Sequence, residues 1–358
     1  MSEATFSHVR ISGVAAAVPE RIRTLDDDAK FFGLEEVNKV SASTGVKQRH
    51  IGTSLTTADL CQAAAERLLA ESGTSTEDID ALIFVSQTPD FPLPASSCCL
   101  QSRLGLPTTC AAFDVNLGCS GYVYGLWLAA SLIASGAVKC ALVLVGDTVP
   151  RFCSSEDRSV ALLFGDAGTA TLVEYHEGGP PWSFVLGTDG SGESHLKVSA
   201  GGYRMRFDAD SLIRQAGEGG NRRAPSELFM DGAEIFSFTL RVVPQLVRKV
   251  LENAKTAIDN IDYFVFHQAN KFMLEYLFKR LKIPTEKRVL GLENYGNTSS
   301  ASIPLAMVTN LREHLQRKEA NLVFAGFGVG LSWGAVNLRT NSIIVPELIL
   351  VSDPAVAS

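Results

Sequence analysis

The sequence predicts an α/β fold in which a βαβ-type sheet, covered by helices on both faces, is built twice. Short apolar runs rich in Val, Ile and Leu alternate with longer helical patterns along the chain, which is typical of βαβ units. Two of these runs recur in the same order in the second half of the chain. The chain has 358 residues, of which 46% are hydrophobic and 20% charged. A chain of this size and composition can bury a hydrophobic core that needs no disulfide bonds for stability.

The individual elements follow from the hydrophobic pattern and the turn residues between the runs. The predicted strands are 9–14, 81–85, 111–115, 141–145, 170–174, 183–188, 263–266, 288–290, 322–325 and 332–338. The predicted helices are 57–72, 121–135, 232–257, 271–282 and 300–316.

A weak internal repeat supports the duplication. Residues 79–85 match residues 261–267 at an offset of 182, and residues 141–146 match residues 321–326 at an offset of 180. In each half, a helix that begins with small residues lies between the two matching runs. Because both order and spacing agree, the pattern favours a duplicated α/β unit over a chance match between apolar strands.

The repeat predicts an N-terminal half over 1–178 and a C-terminal half over 179–340. Residues 190–227 form a polar insertion rich in Gly, Ser and Arg, and a loop of this length is usually a lid, a binding insertion or a mobile segment. The C-terminal extension, 341–358, contains an apolar stretch that fits either an extra edge strand or a dimer contact.

Composition excludes several function classes. The net charge is −7 and no segment is dense in Lys and Arg, so nucleic acid is not expected as a partner. The chain has seven cysteines, an odd number, with no C-x-x-C pair and no cluster with histidine. Such cysteine usage predicts no metal site and a reducing, cytoplasmic location, and the N-terminus has no signal-peptide pattern.

One segment resembles a membrane-spanning helix, because residues 115–138 contain no formally charged side chain. However, residues 115–121 are polar and turn-like, and the dense apolar part covers only 122–133. This length is too short to span a bilayer. We therefore interpret the segment as a helix buried inside a globular core.

Cys119 lies between Gly118 and Ser120, where the predicted strand 111–115 meets the predicted helix from residue 121. The free N–H groups at a helix N-terminus favour a thiolate, so this position predicts a lowered thiol pKa. The same groups could hold an oxyanion, which suits nucleophilic acyl transfer. The alternative is a small buried thiol without chemistry, which is the better reading for the other six cysteines.

Two further residues have positions suited to chemistry. His267 ends an apolar strand, at the strand edge where α/β folds place their sites. Asn297 lies in a turn that leads into a helix, where it is either a helix cap or an amide that donates to a carbonyl oxygen. Arg158 and several glycine-rich turns are also conspicuous, but the glycines match neither a Rossmann fingerprint nor a P-loop.

Together these residues resemble the β-ketoacyl-acyl carrier protein synthase III family of thiolase-fold condensing enzymes. The resemblance rests on three motifs in family order, at 113–121, 267–270 and 296–302. Supporting matches lie at 44–50, at 157–158 with 164–166, and at 328–334. It implies the thiolase fold, with two duplicated βαβαβ halves in five α-β-α-β-α layers, and a homodimer.

The resemblance also implies roles for individual residues. Cys119 would take the acyl group from a thioester, and His267 and Asn297 would bind the carbonyl of a malonyl-type thioester during decarboxylative Claisen condensation. The backbone amides of Cys119 and Val329 would form the oxyanion hole, with the Val329 side chain narrowing the pocket. The substrates would be thioesters of coenzyme A or acyl carrier protein, with no cofactor and no metal.

Some positions depart from the family pattern. Lys39 and Ser43 replace the Trp and Arg that clamp the adenine of coenzyme A, whereas Arg158 matches another arginine near the nucleotide. Phe272 replaces an arginine associated with carrier docking, although Lys271 is adjacent. These departures favour a specialised synthase, for a secondary metabolite or surface glycolipid, over the housekeeping initiator of fatty acid biosynthesis.

The basic residues that follow Lys271 on the same helix fit either an acidic carrier protein or a solvated face. Two other functions are compatible with the fold: a non-decarboxylating acyltransferase that acylates an alcohol or amine, and a silent partner subunit. Both usually lack part of the Cys-His-Asn set, so its presence here favours the condensing enzyme.

Overall fold

A computed structural model describes residues 1–353; the end of the predicted extension, 354–358, lies outside the described residues. The strands are β1 (Ser2–Phe6), β2 (Val9–Pro19), β3 (Ile22–Thr24), β4 (Gln48–His50), β5 (Ala81–Val85), β6 (Ala111–Val115), β7 (Cys140–Asp147), β8 (Ala167–Tyr175), β9 (Trp182–Thr188), β10 (Leu196–Lys197), β11 (Gln215–Ala216), β12 (Arg222–Arg223), β13 (Phe229–Met230), β14 (Tyr263–Phe266), β15 (Ala320–Gly328), β16 (Ser332–Thr340) and β17 (Ile349–Val351).

The helices alternate with these strands in the order that a βαβ fold requires. They are α1 (Leu25–Phe32), α2 (Leu34–Thr44), α3 (Thr57–Ser72), α4 (Ser96–Arg103), α5 (Gly121–Ala134), α6 (Arg158–Ala161), α7 (Gly232–Asn253), α8 (Lys271–Leu281), α9 (Ser302–Asn310) and α10 (Arg312–Arg317).

Two large sheets form the frame of the described chain. One has the strand order β17-β2-β8-β7-β5-β6, and the other has the order β1-β9-β16-β15-β14. The pairs β5-β7 and β14-β15 are parallel, while β8 and β16 run antiparallel to their neighbours. Both sheets are therefore mixed, with the parallel strands joined by helical crossovers.

Helices cover both faces of each sheet, which gives five layers. Helices α3 and α4 pack on the outer face of the first sheet, and α7 and α8 pack on the outer face of the second. A third apolar cluster joins α5 and α9 to the inner faces of both sheets. The predicted fold class, α-β-α-β-α with two duplicated halves, is confirmed.

Strands β5 and β15 are apolar over most of their length because both of their faces are buried. In β5, Ile83 contributes to the central cluster, whereas its neighbours Leu82 and Phe84 belong to the outer cluster with α3 and α4. In β15, Phe324 faces the centre and Val323 faces α7 and α8. This alternation explains why these strands lack the polar positions of a half-exposed sheet.

The internal repeat corresponds to equivalent strand pairs in the two sheets. In the first sheet β5 lies beside β7, and in the second sheet β14 lies beside β15, both in parallel register. The strand predicted at 288–290 is wrong as a strand: only Arg288 forms an isolated bridge, to Phe264 of β14. The segment 288–290 lies beside β14 in the way that β6 lies beside β5. A single bridge, however, does not make a strand.

Each end of the chain adds an edge strand to the sheet formed mainly by the other half. Strand β1 pairs with β9 in the second sheet, and β17 pairs in parallel with β2 in the first. Of the two alternatives for the extension, the edge strand is confirmed. The division into halves at residue 178 stays a prediction.

Two predicted helices differ in length or continuity. Helix α7 ends at Asn253, earlier than predicted, and the helix predicted at 300–316 is interrupted at Leu311, between α9 and α10. Within 190–227 the structure contains only short 3₁₀ turns and two-residue strands. The uncharged segment 115–138 forms the buried helix α5, and no helix among residues 1–353 is long and apolar enough to cross a membrane.

Candidate active site

The Cys119 thiol lies in the turn that joins β6 to α5. Ser120 is the N-cap of α5 and makes no side-chain capping hydrogen bond, so the first N–H groups of the helix have no side-chain partner there. Cys119 is 8% exposed, and its Sγ is 3.9 Å from the Ser299 hydroxyl. Gly328 approaches so closely that a Cβ there would lie 2.7 Å from Sγ.

Burial raises the pKa of the Cys119 thiol to about 11. Hydrogen bonds from the Val329 amide, the Ser299 hydroxyl and the Cys119 amide oppose this rise but do not cancel it. The predicted lowering of this pKa is therefore wrong, because desolvation of the anion outweighs the amide groups around the sulfur. The resting nucleophile is a neutral thiol with two backbone amides directed at it.

His267 lies directly after β14, and its ring orientation is set by Ser302 at the start of α9. The ring Nδ1 is 2.7 Å from the Ser302 hydroxyl oxygen, which also accepts a hydrogen bond from the Gln268 amide at 3.3 Å. The amide of Gln268 can only donate, so the hydroxyl satisfies all three groups when it donates to Nδ1. In this arrangement the ring proton of His267 is on Nε2.

The His267 ring is neutral over the physiological range. Burial lowers its pKa to about 3, and a hydrogen bond with the Ser299 backbone opposes the shift. A neutral imidazole with its proton on Nε2 is a hydrogen-bond donor that adds no net charge to the cavity. The ring also packs edge-on against Phe327, with ring centroids 5.6 Å apart.

Asn297 is held by its backbone and oriented by its side-chain oxygen. Its amide donates to the Leu163 carbonyl at 2.9 Å, and its carbonyl accepts from the Gly165 amide at 3.1 Å. Its Oδ1 accepts a hydrogen bond from the Ser299 amide at 2.9 Å. Because Oδ1 is engaged, Nδ2 is the group left to donate to a ligand.

A buried ion pair lies beneath the Asn297 turn. Arg49 and Asp28 are each 1% exposed and form an ion pair with each other. The Arg49 stem packs under Gly296, where a Cβ would lie 2.9 Å from Arg49 Cγ. This close approach leaves no room for a side chain at residue 296. The packing of Arg49 therefore restricts the position of the turn that presents Asn297.

Asp147, at the end of β7, connects the two halves beside the thiol. Its Oδ2 accepts hydrogen bonds from the Ser300 hydroxyl and amide at 2.6 and 3.2 Å. Its Oδ1 accepts from the Gln87 amide and the Ser86 hydroxyl at 2.7 and 3.2 Å. Burial raises the pKa of Asp147, and these hydrogen bonds oppose the rise.

One cavity of about 1530 Å³ brings the predicted catalytic residues together. Cys119, His267, Asn297 and Val329 all line it. Val329 is half-buried, and its side chain lies against Gly118, where it narrows the space beside the thiol. The positions predicted to bind substrate or carrier are not part of this wall.

Arg158, Lys271 and Phe272 lie outside the cavity. Arg158, on α6, forms an ion pair of 3.4 Å with Glu36. Lys271 packs against Gly45, and Phe272, which is 59% exposed, stacks on a neighbouring aromatic ring of α7. Lys271 and Phe272 nevertheless begin α8 next to cavity residues. The Arg158 guanidinium instead pairs with Glu36 and lies beside Gly219.

Sequence reasoning missed three polar residues of the site: Asp147, Ser299 and Ser302. The signals were weak, because a carboxylate at a strand end and serines in a turn fit ordinary capping equally well. Among residues 1–353, no three His, Cys, Asp or Glu side chains come together as a set of metal ligands.

The fold and the site together define a class. Two duplicated sheets enclose a cavity in which a cysteine at a helix N-terminus faces a neutral histidine and a free asparagine amide. This combination is that of the thiolase-fold condensing enzymes.

Comparison with known proteins agrees with this class. Residues 113–190 match the family 3-oxoacyl-[acyl-carrier-protein (ACP)] synthase III, and residues 251–340 match its C-terminal counterpart. The β-ketoacyl-[acyl-carrier-protein] synthase III of Symbiobacterium thermophilum is 36% identical over 333 residues, which cover 92% of this chain and 98% of the relative. This chain belongs to the β-ketoacyl-acyl carrier protein synthase III family.

Solved structures give the same assignment. The 3-oxoacyl-(acyl-carrier protein) synthase of Burkholderia xenovorans LB400 is 42% identical, with a TM-score of 0.92 over 98% of this chain and 99% of the other. A priming β-ketosynthase from the R1128 polyketide pathway is 27% identical, with a TM-score of 0.82 over 95% of this chain and 98% of the other.

Proposed function

We propose that this chain transfers an acyl group from a thioester to Cys119 and then condenses it with a malonyl-type thioester after decarboxylation. The product would serve fatty acid or specialised acyl biosynthesis. One observation carries the proposal: the cavity presents a thiol, a neutral imidazole and a free amide donor side by side. The complete set also supports condensation over acyl transfer to an alcohol or amine.

In the first half-reaction, the Cys119 sulfur attacks the donor carbonyl. The thiol proton is released, the carbonyl becomes a tetrahedral oxyanion, and the donor thiolate departs and takes up a proton. The amides of Cys119 and Val329 already point at the sulfur, so they are placed to hold this oxyanion. The result is a thioester on Cys119 and a free carrier or coenzyme A thiol.

In the second half-reaction, His267 Nε2–H and Asn297 Nδ2–H bind the malonyl thioester carbonyl. Breaking the bond to the carboxylate releases CO2 and leaves an enolate, whose oxygen gains negative charge as these donors strengthen their hydrogen bonds. The enolate carbon attacks the acyl carbonyl on Cys119, and the Cys119 thiolate leaves and is protonated. Neither step requires a cofactor or a metal ion.

Acyl carrier protein is the partner that the surface beside the cavity supports best. Asn270 and Met273, at the start of α8, line the cavity, and the same helix exposes Lys271, Lys279 and Arg280. Exposed basic side chains attract an acidic carrier. Coenzyme A thioesters are the alternative donors, although Arg158 is paired with a carboxylate instead of facing the cavity.

A homodimer is also part of the proposal. Strand β6 is the edge of its sheet and, within residues 1–353, pairs only with β5. Its unpaired edge can continue the sheet into a second copy of the chain. The departures at Lys39, Ser43 and Phe272 support a specialised pathway, and the cysteine usage supports a cytoplasmic enzyme.

The test separates the two half-reactions. With a radiolabelled acyl thioester, Cys119→Ala should form no acyl-enzyme, whereas His267→Ala and Asn297→Ala should still become labelled. With malonyl carrier protein, the last two variants should lose CO2 release. Labelling of Cys119→Ala would contradict the nucleophile, and full CO2 release by both other variants would contradict the decarboxylation roles.

A further inference from the structure

Ser299 has a backbone conformation that residues with a side chain rarely adopt. Its φ angle is 51°, in the left-handed region, where any side chain costs energy that glycine would avoid. Ser299 is only 4% exposed, whereas the other non-glycine residues with positive φ among residues 1–353 are exposed: His8, Lys255 and Lys282. A strained residue inside a reactive centre points to a functional constraint on that residue.

Three groups of the site meet at Ser299. Its hydroxyl oxygen is 3.9 Å from Cys119 Sγ, which is within hydrogen-bond distance for sulfur. Its amide donates to Asn297 Oδ1 at 2.9 Å. The hydroxyl also donates to the Asp147 carboxylate, and this hydrogen bond lowers the pKa of Asp147. The amide of Ser299 therefore serves the decarboxylation site, while its hydroxyl is shared between the thiol and a carboxylate.

The Cys119 sulfur needs a hydrogen-bond donor that the oxyanion hole cannot supply during the reaction. In the free enzyme, three groups within residues 1–353 form hydrogen bonds with the sulfur: the amides of Cys119 and Val329, and the Ser299 hydroxyl. In each tetrahedral intermediate the two amides hold the carbonyl oxygen instead. The His267 Nε2–H group binds the malonyl carbonyl. The Ser299 hydroxyl is therefore the donor that stays at the sulfur.

We propose, resting on the function proposed above, that Ser299 is a catalytic residue whose hydroxyl donates a hydrogen bond to the Cys119 sulfur whenever that sulfur carries negative charge. In the condensation step the carbon–sulfur bond breaks, its electron pair goes to the sulfur, and the hydroxyl turns from Asp147 to the new thiolate. The serine keeps its proton, and the thiolate is later protonated by water. Asp147 retains its hydrogen bonds from Ser300 and Gln87, so the turn of the hydroxyl leaves it partnered.

The first experiment measures the reactivity of Cys119 in the absence of substrate. Ser299→Gly and Ser299→Ala both remove the hydroxyl and keep the backbone amide, and glycine adopts positive φ without strain. The rate of iodoacetamide alkylation at pH 8, read from the Cys119 peptide by mass spectrometry, should fall roughly 3- to 10-fold in both variants, because less of the thiol is ionised. The whole rate–pH profile should move to higher pH. An equal or faster rate in either variant would overturn the proposal.

The second experiment isolates the step in which the thiolate leaves. Enzyme that already carries an acyl group on Cys119 is mixed with malonyl carrier protein, and loss of the adduct is followed in a single turnover by intact-protein mass spectrometry. In Ser299→Gly this transfer should slow roughly 10- to 100-fold. Release of CO2 by enzyme without an acyl group should slow by less than about threefold, because the amide of residue 299 still holds Asn297. Unchanged transfer would overturn the proposal, and equal losses in both rates would do so by indicating a structural role only.

Thr298→Val is the matched control for both experiments. Thr298 precedes Ser299 in the same turn and is 1% exposed, and its hydroxyl has no hydrogen-bond partner within residues 1–353. Valine has nearly the same shape and lacks only this hydroxyl, so alkylation and acyl transfer should keep their wild-type rates. Losses as large as those of Ser299→Gly would mean that any change in this turn has the same effect, and the proposal would be wrong.

Failure of the proposed function would give a different result. If the wild-type enzyme takes up no acyl group from any thioester, acyl transfer to Cys119 is contradicted, while the alkylation rates still test the hydrogen bond from Ser299. If the wild-type enzyme condenses and Ser299→Gly matches it in both experiments, the function stands and the role of Ser299 is excluded.

Discussion

The Asp147 carboxylate accepts two hydrogen bonds from Ser300, one from its hydroxyl and one from its amide, across 153 residues of sequence. Ser300 follows Ser299, whose amide holds Asn297 Oδ1. The other carboxylate oxygen accepts a hydrogen bond from the Gln87 amide, in the segment that follows β5. A single buried carboxylate therefore fixes the turn that presents Asn297 relative to the cavity wall.

We expect Asp147→Asn to change the two half-reactions in different ways. The kcat for malonyl decarboxylation should fall roughly 10- to 100-fold, because the Asn297 turn loses its fixed position. The Cys119 thiol should become more reactive toward iodoacetamide at pH 8, because the negative charge of Asp147 contributes to its raised pKa. Both rates can be measured on the same preparation.

Asp80→Asn is the matched control for this prediction. Asp80 also accepts two backbone hydrogen bonds, from Lys139 and Cys140, but at the opposite end of β7. A general loss of stability would lower both rates in both variants. Unchanged decarboxylation in Asp147→Asn would show that the Asn297 turn does not depend on this carboxylate.

Ser302→Ala tests the orientation of the His267 ring. Without the hydroxyl, Nδ1 loses its 2.7 Å hydrogen bond, and the tautomer with the proton on Nε2 becomes less favoured. We expect decarboxylation to slow roughly 10-fold, less than the ~10²–10³-fold cost of removing an oxyanion donor outright. Acylation of Cys119 should change little, and Ser302→Thr should restore decarboxylation. Equal losses in both half-reactions would indicate a structural role only.

Gly328→Ala tests the close approach of the backbone to the nucleophile. The added Cβ would lie 2.7 Å from both Cβ and Sγ of Cys119, so the thiol must move. We expect acyl-enzyme formation, followed by mass spectrometry, to slow by about 100-fold. Gly190→Ala, at a position with no neighbouring atom within 4 Å, is the control. A normal acylation rate in Gly328→Ala would mean that the thiol has other productive positions.

The alkylation rate of Cys119 should depend on pH as a thiol with a raised pKa requires. Because its pKa is about 11, the thiolate fraction of the substrate-free enzyme should keep rising up to that pH. The iodoacetamide rate at Cys119, read from its peptide by mass spectrometry, should therefore show no plateau between pH 8 and 9. A plateau there would mean that the amides around the sulfur outweigh its burial.

The elements that could be predicted best from the sequence are those with a local hydrophobic pattern. Strands β5, β6 and β14 have the predicted bounds, because each is a short apolar run between turn residues. The position of Cys119 at a strand-to-helix junction could also be predicted. A strand, a glycine-flanked turn and a helix follow one another directly in the sequence there.

The remaining features depend on distant parts of the chain meeting. Asp147 and Ser300 are in contact only because the two sheets stack, and no local pattern links them. Strands β1 and β17 each pair with the sheet of the other half. Both are short edge strands, and neither has a hydrophobic periodicity that would predict its partner. The pKa of Cys119 depends on the depth of its burial, which the residues around it in the sequence do not specify.

Asp166 gives a prediction about stability. It is 1% exposed, its Oδ2 accepts a hydrogen bond from the Gly52 amide at 2.8 Å, and its Oδ1 has no hydrogen-bond partner. Burial raises its pKa to about 7, opposed by the Gly52 hydrogen bond and the charge of Arg151. In the unfolded chain, an aspartate has a pKa of roughly 3.9.

The folded state therefore binds a proton more tightly than the unfolded state between these two values. The stabilisation from protonated Asp166 is complete below about pH 4 and is lost as the pH rises through 7. From pH 5 to pH 8 the free energy of unfolding should fall by on the order of 2 kcal/mol through this group. Asp166→Asn cannot ionise, so we expect its Tm, measured by scanning calorimetry, to fall several degrees less over this interval than that of the wild type. Asp80→Asn should keep the wild-type dependence, and an equal fall in Asp166→Asn would mean that Asp166 is already ionised at pH 5.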